Sequence, residues 1–352
     1  MRQKIELYVG TYTKGSPAEG IYYAELDLAT GKFDNLTLVA RSENPGFVAI
    51  HPQNNWLYAL QSGGCGKVKA FSINIETQQL ELLNTQPSGG AGPCHISLDS
   101  EGKYLLVANY ASGSVAVFPI KDDGSLAPVT AQIQHHGASV TSRQQGPHAH
   151  SINLSPNNAY AYVADLGLDK IMIYKFDDQT GQLITNDPPF VQLKPGAGPR
   201  HLTFDAQGHF VYVINELDAT ITVFSYQAAS GALIELQTIP TLPADVSGTN
   251  ACAEVKIHPN NKFLYGSNRG HDSIVIYRID QQNGQLTLVG FQTQGIDEPR
   301  HFNIDPSGQY CLIGNQDINN VALFAIDQTS GLLTPTSAKL DIGKPICIKF
   351  KR

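Results

Sequence analysis

The chain has 352 residues, 41% of them hydrophobic and 16% charged, which is enough apolar material for a sizeable core. A formal charge of -7 and a pI near 5.8 argue against nucleic acid or an anionic membrane as partner, since both call for a basic face. No run reaches the roughly 18 apolar residues of a membrane helix. No apolar leader follows Met1, and the five cysteines form no CxxC pair, so a cytoplasmic protein with reduced thiols is expected.

Taken in chain order, the first segment, "ELYVGTYT", reads as a strand. A repeating unit then opens at Pro45, Pro93, Pro147, Pro199, Cys252 and Pro299, and begins once more at Pro345, with steps of about 50 residues. The unit at Pro199 shows the pattern. A strand "HLTFDA" meets the turn "QG" and a second strand "HFVYVIN". A polar loop, a third strand "ATITVFSY" and a turn lead to an outer strand, "IELQTIP". Short runs of Val, Ile, Tyr and Phe between Gly, Asp and Asn turns are strands. Four strands per unit of this length make a propeller blade rather than a solenoid rung.

The opening "ELYVGTYT" matches the second strand of a unit, and the closing "KPICIKF" matches only a first strand. Together they complete one blade, and closure removes the open edge of a linear array. The expected fold is all-β. It is a seven-bladed β-propeller of four-stranded antiparallel blades, closed by the two termini, with residues 1–352 as one domain and a monomer or weak homo-oligomer in solution.

In an antiparallel blade the start of strand one and the end of strand two share an edge. Aligned on the opening motif, the first register holds Gly46, Cys94, His148, Arg200, Ala253, Arg300 and Ile346. The second holds Tyr110, Leu166, Glu216, Arg269 and Gln316. The column before it, Asn109, Asp165, Asn215, Asn268 and Asn315, is nearly uniform, which suits strand termination by bonds to the residue's own backbone. Columns that vary between blades are the better source of a site.

His148, Arg200, Glu216 and Arg269 come from three consecutive blades and stand out on this ground. An imidazole, a carboxylate and two guanidiniums suffice to activate water, serve a leaving group and polarise an anionic oxygen. Ion pairs clamping adjacent blades gather the same residue types, so spacing alone leaves both readings standing. His95, His201, His301 and Glu254, one place along, read as contacts between blades. His150 aligns with Ile96, Leu202, Val255 and Phe302, where a polar ring needs a partner. "HAH" puts two imidazoles on one side of a strand, but no further ligand spacing appears, and neither a metal nor another cofactor is expected.

The segments "VGTYT" at 9–13, "GPHAH" at 146–150, "GPRHLTF" at 198–204, "VINEL" at 213–217 and "SNRGHDSI" at 267–274 carry a resemblance. The chain resembles the seven-bladed propeller lactonases of the bacterial 6-phosphogluconolactonase type, themselves similar to carboxymuconate lactonizing enzymes. The resemblance implies a site at His148, Arg200, Glu216 and Arg269. It implies a small anionic sugar lactone as substrate, with hydrolysis of 6-phospho-D-glucono-1,5-lactone in the pentose phosphate pathway. Glu216 or His148 then serves as base. Arg143, His271 and Arg300 are candidates to bind the phosphate, with His150 supporting His148. A muconate-type cycloisomerase would use the same groups, and a non-enzymatic propeller scaffold is the alternative from another class.

Overall fold

The computed structural model describes residues 4–63, 65–246 and 248–351. These form seven four-stranded antiparallel sheets, each following chain order from its first strand outward, save one. In that sheet Pro345–Phe350 pairs with Lys4–Thr11, and Gly20–Asp27 and Lys32–Arg41 follow. The termini therefore close the ring, as the sequence pattern requires. We number this sheet blade 1 and the others 2 to 7 along the chain.

Second strands such as Phe210–Asn215 are buried almost throughout, because a neighbouring blade covers each face. Outermost strands such as Lys32–Arg41 are largely exposed and polar. The core thus lies between blades rather than inside them. One cluster joins Leu106 and Val117 of blade 3 to Ile152 and Val163 of blade 4.

Buried tyrosines repeat the same tie around the ring. The hydroxyls of Tyr58, Tyr162, Tyr212 and Tyr265 donate to the carbonyls of Gly124 (3.0 Å), Gly231 (2.6 Å), Gly284 (2.9 Å) and Gly331 (2.8 Å) of the following blade. Gly331 shows why glycine stands at that turn. Its φ is +80°, and a Cβ there would meet the Phe263 ring at 2.5 Å.

One irregularity positions the site. At the start of most first strands, two residues oppose one on the partner, a β-bulge that re-aims the extra side chain. Pairing steps from Pro93↔Asn109 to His95↔Ala108, from Pro199↔Asn215 to His201↔Ile214, and from Pro299↔Asn315 to His301↔Gly314. The extra residues are Cys94, Arg200 and Arg300. In blade 4 the step runs from Ala149↔Asp165 to Ser151↔Ala164, so His150 takes that position. This differs from the motif alignment by two residues. Gly146-Pro147 belongs to the preceding loop, and the pairing of "SINL" with Tyr160–Asp165 sets the true register. His150 accordingly stands with Cys94 and Arg200, while Ile152 takes the apolar place beside Ile96.

Candidate active site

Glu216 directly follows the strand Phe210–Asn215, and its N–H donates to the Gly198 carbonyl at 2.7 Å. That bond ties the end of strand two to the start of strand one and brings Glu216 beside Arg200. Arg200 Nε donates to Glu216 Oε2 at 2.9 Å. Arg269 Nη2 lies 3.2 Å from the same oxygen, and Arg143 Nη2 lies 2.7 Å from Oε1. One carboxylate therefore holds three guanidiniums. Two belong to blades 5 and 6, and the third comes from the short turn Ser142–Gln144 between blades 3 and 4.

Glu216 is 4% exposed, Arg200 3% and Arg269 8%. Burial raises a carboxyl, but the charges of Arg200, Arg269 and Arg143 outweigh it and hold Glu216 down at about 2. Burial, with Arg269 close by, brings Arg200 down to about 10, so it stays charged at neutral pH. Both buried arginines lean on the strand Ala251–Ile257. Arg200 Nη1 donates to the Ala253 carbonyl, and Arg269 Nε and Nη2 donate to those of Ala251 (3.1 Å) and Cys252 (3.2 Å).

His148 forms the second part of the mouth. Its ring stacks on Tyr110, with centroids 4.4 Å apart, and its backbone N–H donates to Asp165 Oδ1 at 2.8 Å. Nδ1 lies 2.9 Å from the Tyr110 carbonyl. A carbonyl oxygen only accepts, so this contact assigns the proton to Nδ1 and leaves the lone pair on Nε2. Tyr110 also joins the two parts, since its hydroxyl accepts from Arg143 Nη2 at 3.3 Å. His148 thus reaches the Glu216 cluster through Tyr110 and Arg143.

His150 approaches the cluster more closely, with Nε2 3.8 Å from Glu216 Oε2. Burial and the charge of Arg200 hold its ring well below the usual histidine range, and it is neutral. Arg300 lines a cavity of about 20 Å³ together with Tyr12, Ser62, Cys94, His150 and Arg200. Its guanidinium sits 5.6 Å from the Tyr12 ring centre and enters no ion pair among the described residues. His271 stands apart. Its Nδ1 meets Ser273 Oγ at 2.8 Å, its ring meets the edge of Phe291, and among the described residues no hydrogen bond or ion pair joins it to the Glu216 cluster. Among the described residues no group of three His, Cys, Asp or Glu side chains could hold a metal ion.

Three supporting residues escaped selection from the sequence. Tyr110 stood in the same varying column as Glu216 and Arg269, which was its signal. Asp165 was the one carboxylate in a column of asparagines. Where Asn109, Asn268 and Asn315 donate to carbonyls of the loop arriving at their blade (Ser88, Thr241, Gly295), not to their own backbone, Asp165 Oδ1 accepts from the Gly167 N–H two residues on (3.1 Å), the local bond expected of this column, and also from the His148 N–H. Asp165 Oδ2 also meets His135 Nδ1 at 2.6 Å. Asp169 had no sequence signal. It accepts from Gln144 Nε2 and Gly198 N, both at 2.7 Å, and so pins the Arg143 turn beside the first strand of blade 5.

Below the mouth, His95, His201, His301 and Glu254 meet across blades, with His201 Nδ1 3.1 Å from Glu254 Oε2. Burial above all depresses these rings: His201 lies at about 4, and His95, His150 and His301 lie well below the usual range. A depressed histidine stays neutral in the fold while the unfolded chain takes up its proton below about pH 6.5. Stability therefore falls as pH drops from about 6.5 toward 4. Glu216 adds to that loss only below the ordinary carboxylate range. We expect the melting temperature to drop clearly between pH 7 and pH 5. A flat profile across that window contradicts the neutral cluster.

Comparison with known proteins accords with this geometry. A family model described as "Lactonase, 7-bladed beta-propeller" matches residues 6–350. A 6-phosphogluconolactonase of Bacillus subtilis is 34% identical over 344 residues, covering 97% of each chain. A 6-phosphogluconolactonase of Formosa agariphila is 34% identical over 317 residues, or 88% of this chain and 89% of the relative. The structure of a periplasmic gluconolactonase of Pseudomonas aeruginosa superposes with a TM-score of 0.94 at 33% identity, covering 99% of each chain. With matching blades from end to end, this chain belongs to the seven-bladed β-propeller lactonases and is a hydrolase that acts on the ester of a lactone.

Proposed function

We propose that the chain hydrolyses 6-phospho-D-glucono-1,5-lactone to 6-phosphogluconate, the second step of the pentose phosphate pathway. The observation that carries the phosphate is Arg300. It is a cation beside Arg200 at the mouth that enters no ion pair among the described residues, whereas Arg143, Arg200 and Arg269 all converge on Glu216. Two relatives bearing the phosphogluconolactonase name support the same substrate. The five cysteines are free thiols, which suits the reducing cytoplasm that we propose as its location.

The chemistry divides by what each group can do. Glu216, held at about 2, is a poor proton acceptor near neutral pH, so it serves as the anchor that aligns guanidiniums. His148 Nε2 takes a proton from water as the water oxygen attacks the lactone carbonyl carbon. Arg200 and Arg269 stabilise the oxyanion. When the bond from that carbon to the ring oxygen breaks, His148 returns the proton to the departing oxygen, leaving a hydroxyl and a carboxylic acid that then loses its proton to solvent.

The test uses freshly generated phosphorylated lactone and plain glucono-1,5-lactone, with rates taken net of buffer hydrolysis. Arg300→Ala removes a hydrogen bond to a charged group, about 1.5–3 kcal/mol, so KM for the phosphorylated lactone should rise about 10- to 100-fold. KM for the plain lactone should stay within about threefold. Equal effects on both substrates would remove the phosphate from Arg300. A wild-type rate no faster than buffer on either lactone would remove the reaction itself.

A further inference from the structure

Arg200 is held on two sides. Its Nε faces Glu216, and its Nη1 lies 3.4 Å from His201 Nε2 and donates to the Ala253 carbonyl. The His201 contact works only if Nε2 carries a lone pair, because a guanidinium nitrogen has nothing but donors to offer. The residue that sets this is Glu254, 2% exposed. Its Oε2 lies 3.1 Å from His201 Nδ1, so the proton of the neutral ring belongs on Nδ1 and Nε2 is left free to accept.

Glu254 is itself fixed. Oε1 accepts from the Val255 N–H (3.1 Å) and lies 3.2 Å from Lys256 Nζ. His301 Nε2 approaches Oε2 to 3.2 Å, off the line of a hydrogen bond. His301 Nδ1 accepts from the Ile348 N–H, so the His301 proton sits on Nε2, the nitrogen nearer Glu254. The Phe47 ring packs against His95, His201 and His301, with centroids 4.6, 6.2 and 5.8 Å away. Beyond this cluster a cavity of about 550 Å³, lined by Lys256 and Lys349 among others, runs along the axis. The cluster therefore sits between the Glu216 mouth and that cavity, and its members cannot turn freely.

We propose that Glu254 is a positioning residue for the lactone reaction: through the tautomer of His201 it fixes the guanidinium of Arg200 against Glu216. The inference rests on the reading of Arg200 as oxyanion stabiliser. In the opposite tautomer an N–H of His201 would point at an N–H of Arg200, and the guanidinium would swing off its line. Glu254 touches neither substrate nor reacting atoms, and its effect runs through one ring. Glu254→Gln keeps the shape but offers His201 both an acceptor and a donor, so the tautomer is no longer dictated.

The test is a double-mutant cycle on the full chain, with kcat, KM and melting temperature measured for each protein. Glu254→Gln should lower kcat about tenfold with KM changed less than threefold, since the oxyanion contact matters most in the transition state. His201→Leu should lose at least as much. His201→Gln, whose side-chain carbonyl reaches the place of Nε2, should recover most of the loss. In either His201 background, Glu254→Gln should add less than a twofold further effect. Fully additive losses, or a folded Glu254→Gln protein with wild-type kcat, overturn the proposal. If Glu254→Gln does not fold, equal rates for His201→Leu and His201→Gln overturn it, and recovery by Gln supports it. Arg200→Ala separates the underlying reading: wild-type turnover there removes Arg200 from the chemistry whatever the cycle shows.

Discussion

His148→Gln should lower kcat by 10²- to 10⁴-fold, the usual contribution of a positioned acid–base group, with KM changed little. The side chain is half-buried and packs mainly on the Tyr110 ring, so the variant should melt within a few degrees of wild type. The size of the effect follows from the hydrogen bonds. The Tyr110 carbonyl commits Nδ1 as donor, and Asp165 holds the backbone, so the free Nε2 needs no reorganisation to accept a proton. Glutamine retains polarity and some of the stacking area but has no basic nitrogen. Steady-state rates corrected for spontaneous opening decide the matter. A variant within threefold of wild type would transfer the base role elsewhere, with His150 the nearest imidazole to Glu216.

Glu216→Gln should damage both turnover and stability. Arg200 and Arg269 are almost fully buried, and removing their common carboxylate leaves two charges partly uncompensated in a low-dielectric setting. Breaking a buried pair in this way costs about 3–5 kcal/mol. In a chain of this size that lowers the melting temperature on the order of 5–10 °C. Turnover should fall by 10² or more, because unanchored guanidiniums no longer face the developing oxyanion. Since the Glu216 carboxyl is depressed to about 2, its stabilisation is complete above the ordinary carboxylate range and is lost as pH falls toward 2. The gap between wild type and variant should therefore narrow below about pH 4.5. A variant that melts like wild type at pH 7 would show that the arginines do not need Glu216 as counter-charge, Glu298 Oε1 remaining 3.6 Å from Arg269 Nη1.

The two variants separate roles that the site joins. His148 is expected to matter for turnover with little effect on the fold, whereas Glu216 affects both. The difference lies in burial: one ring leans on the mouth, and one carboxylate closes a network of two blades and a loop.

Most of the architecture was legible in the order of residues, because a propeller repeats one local pattern. Short apolar strands, Gly and Asp turns and a first strand displaced to the C-terminus define seven blades and their closure without any distant contact being known. Arg200, Glu216 and Arg269 were also legible, since the same periodicity gives each a place on a blade and the blade places them on one face. What local pattern could not decide was register within blade 4. The likeness of "GPHAH" to "GPRH" set His148 beside Arg200, and only pairing with Tyr160–Asp165 moved His150 into that position. Nor could it reveal Asp169 or the proton placement on His148 and His201. Those depend on which carbonyl or carboxylate a ring meets from another blade, and such meetings are settled by packing across the axis, not by neighbours along the chain.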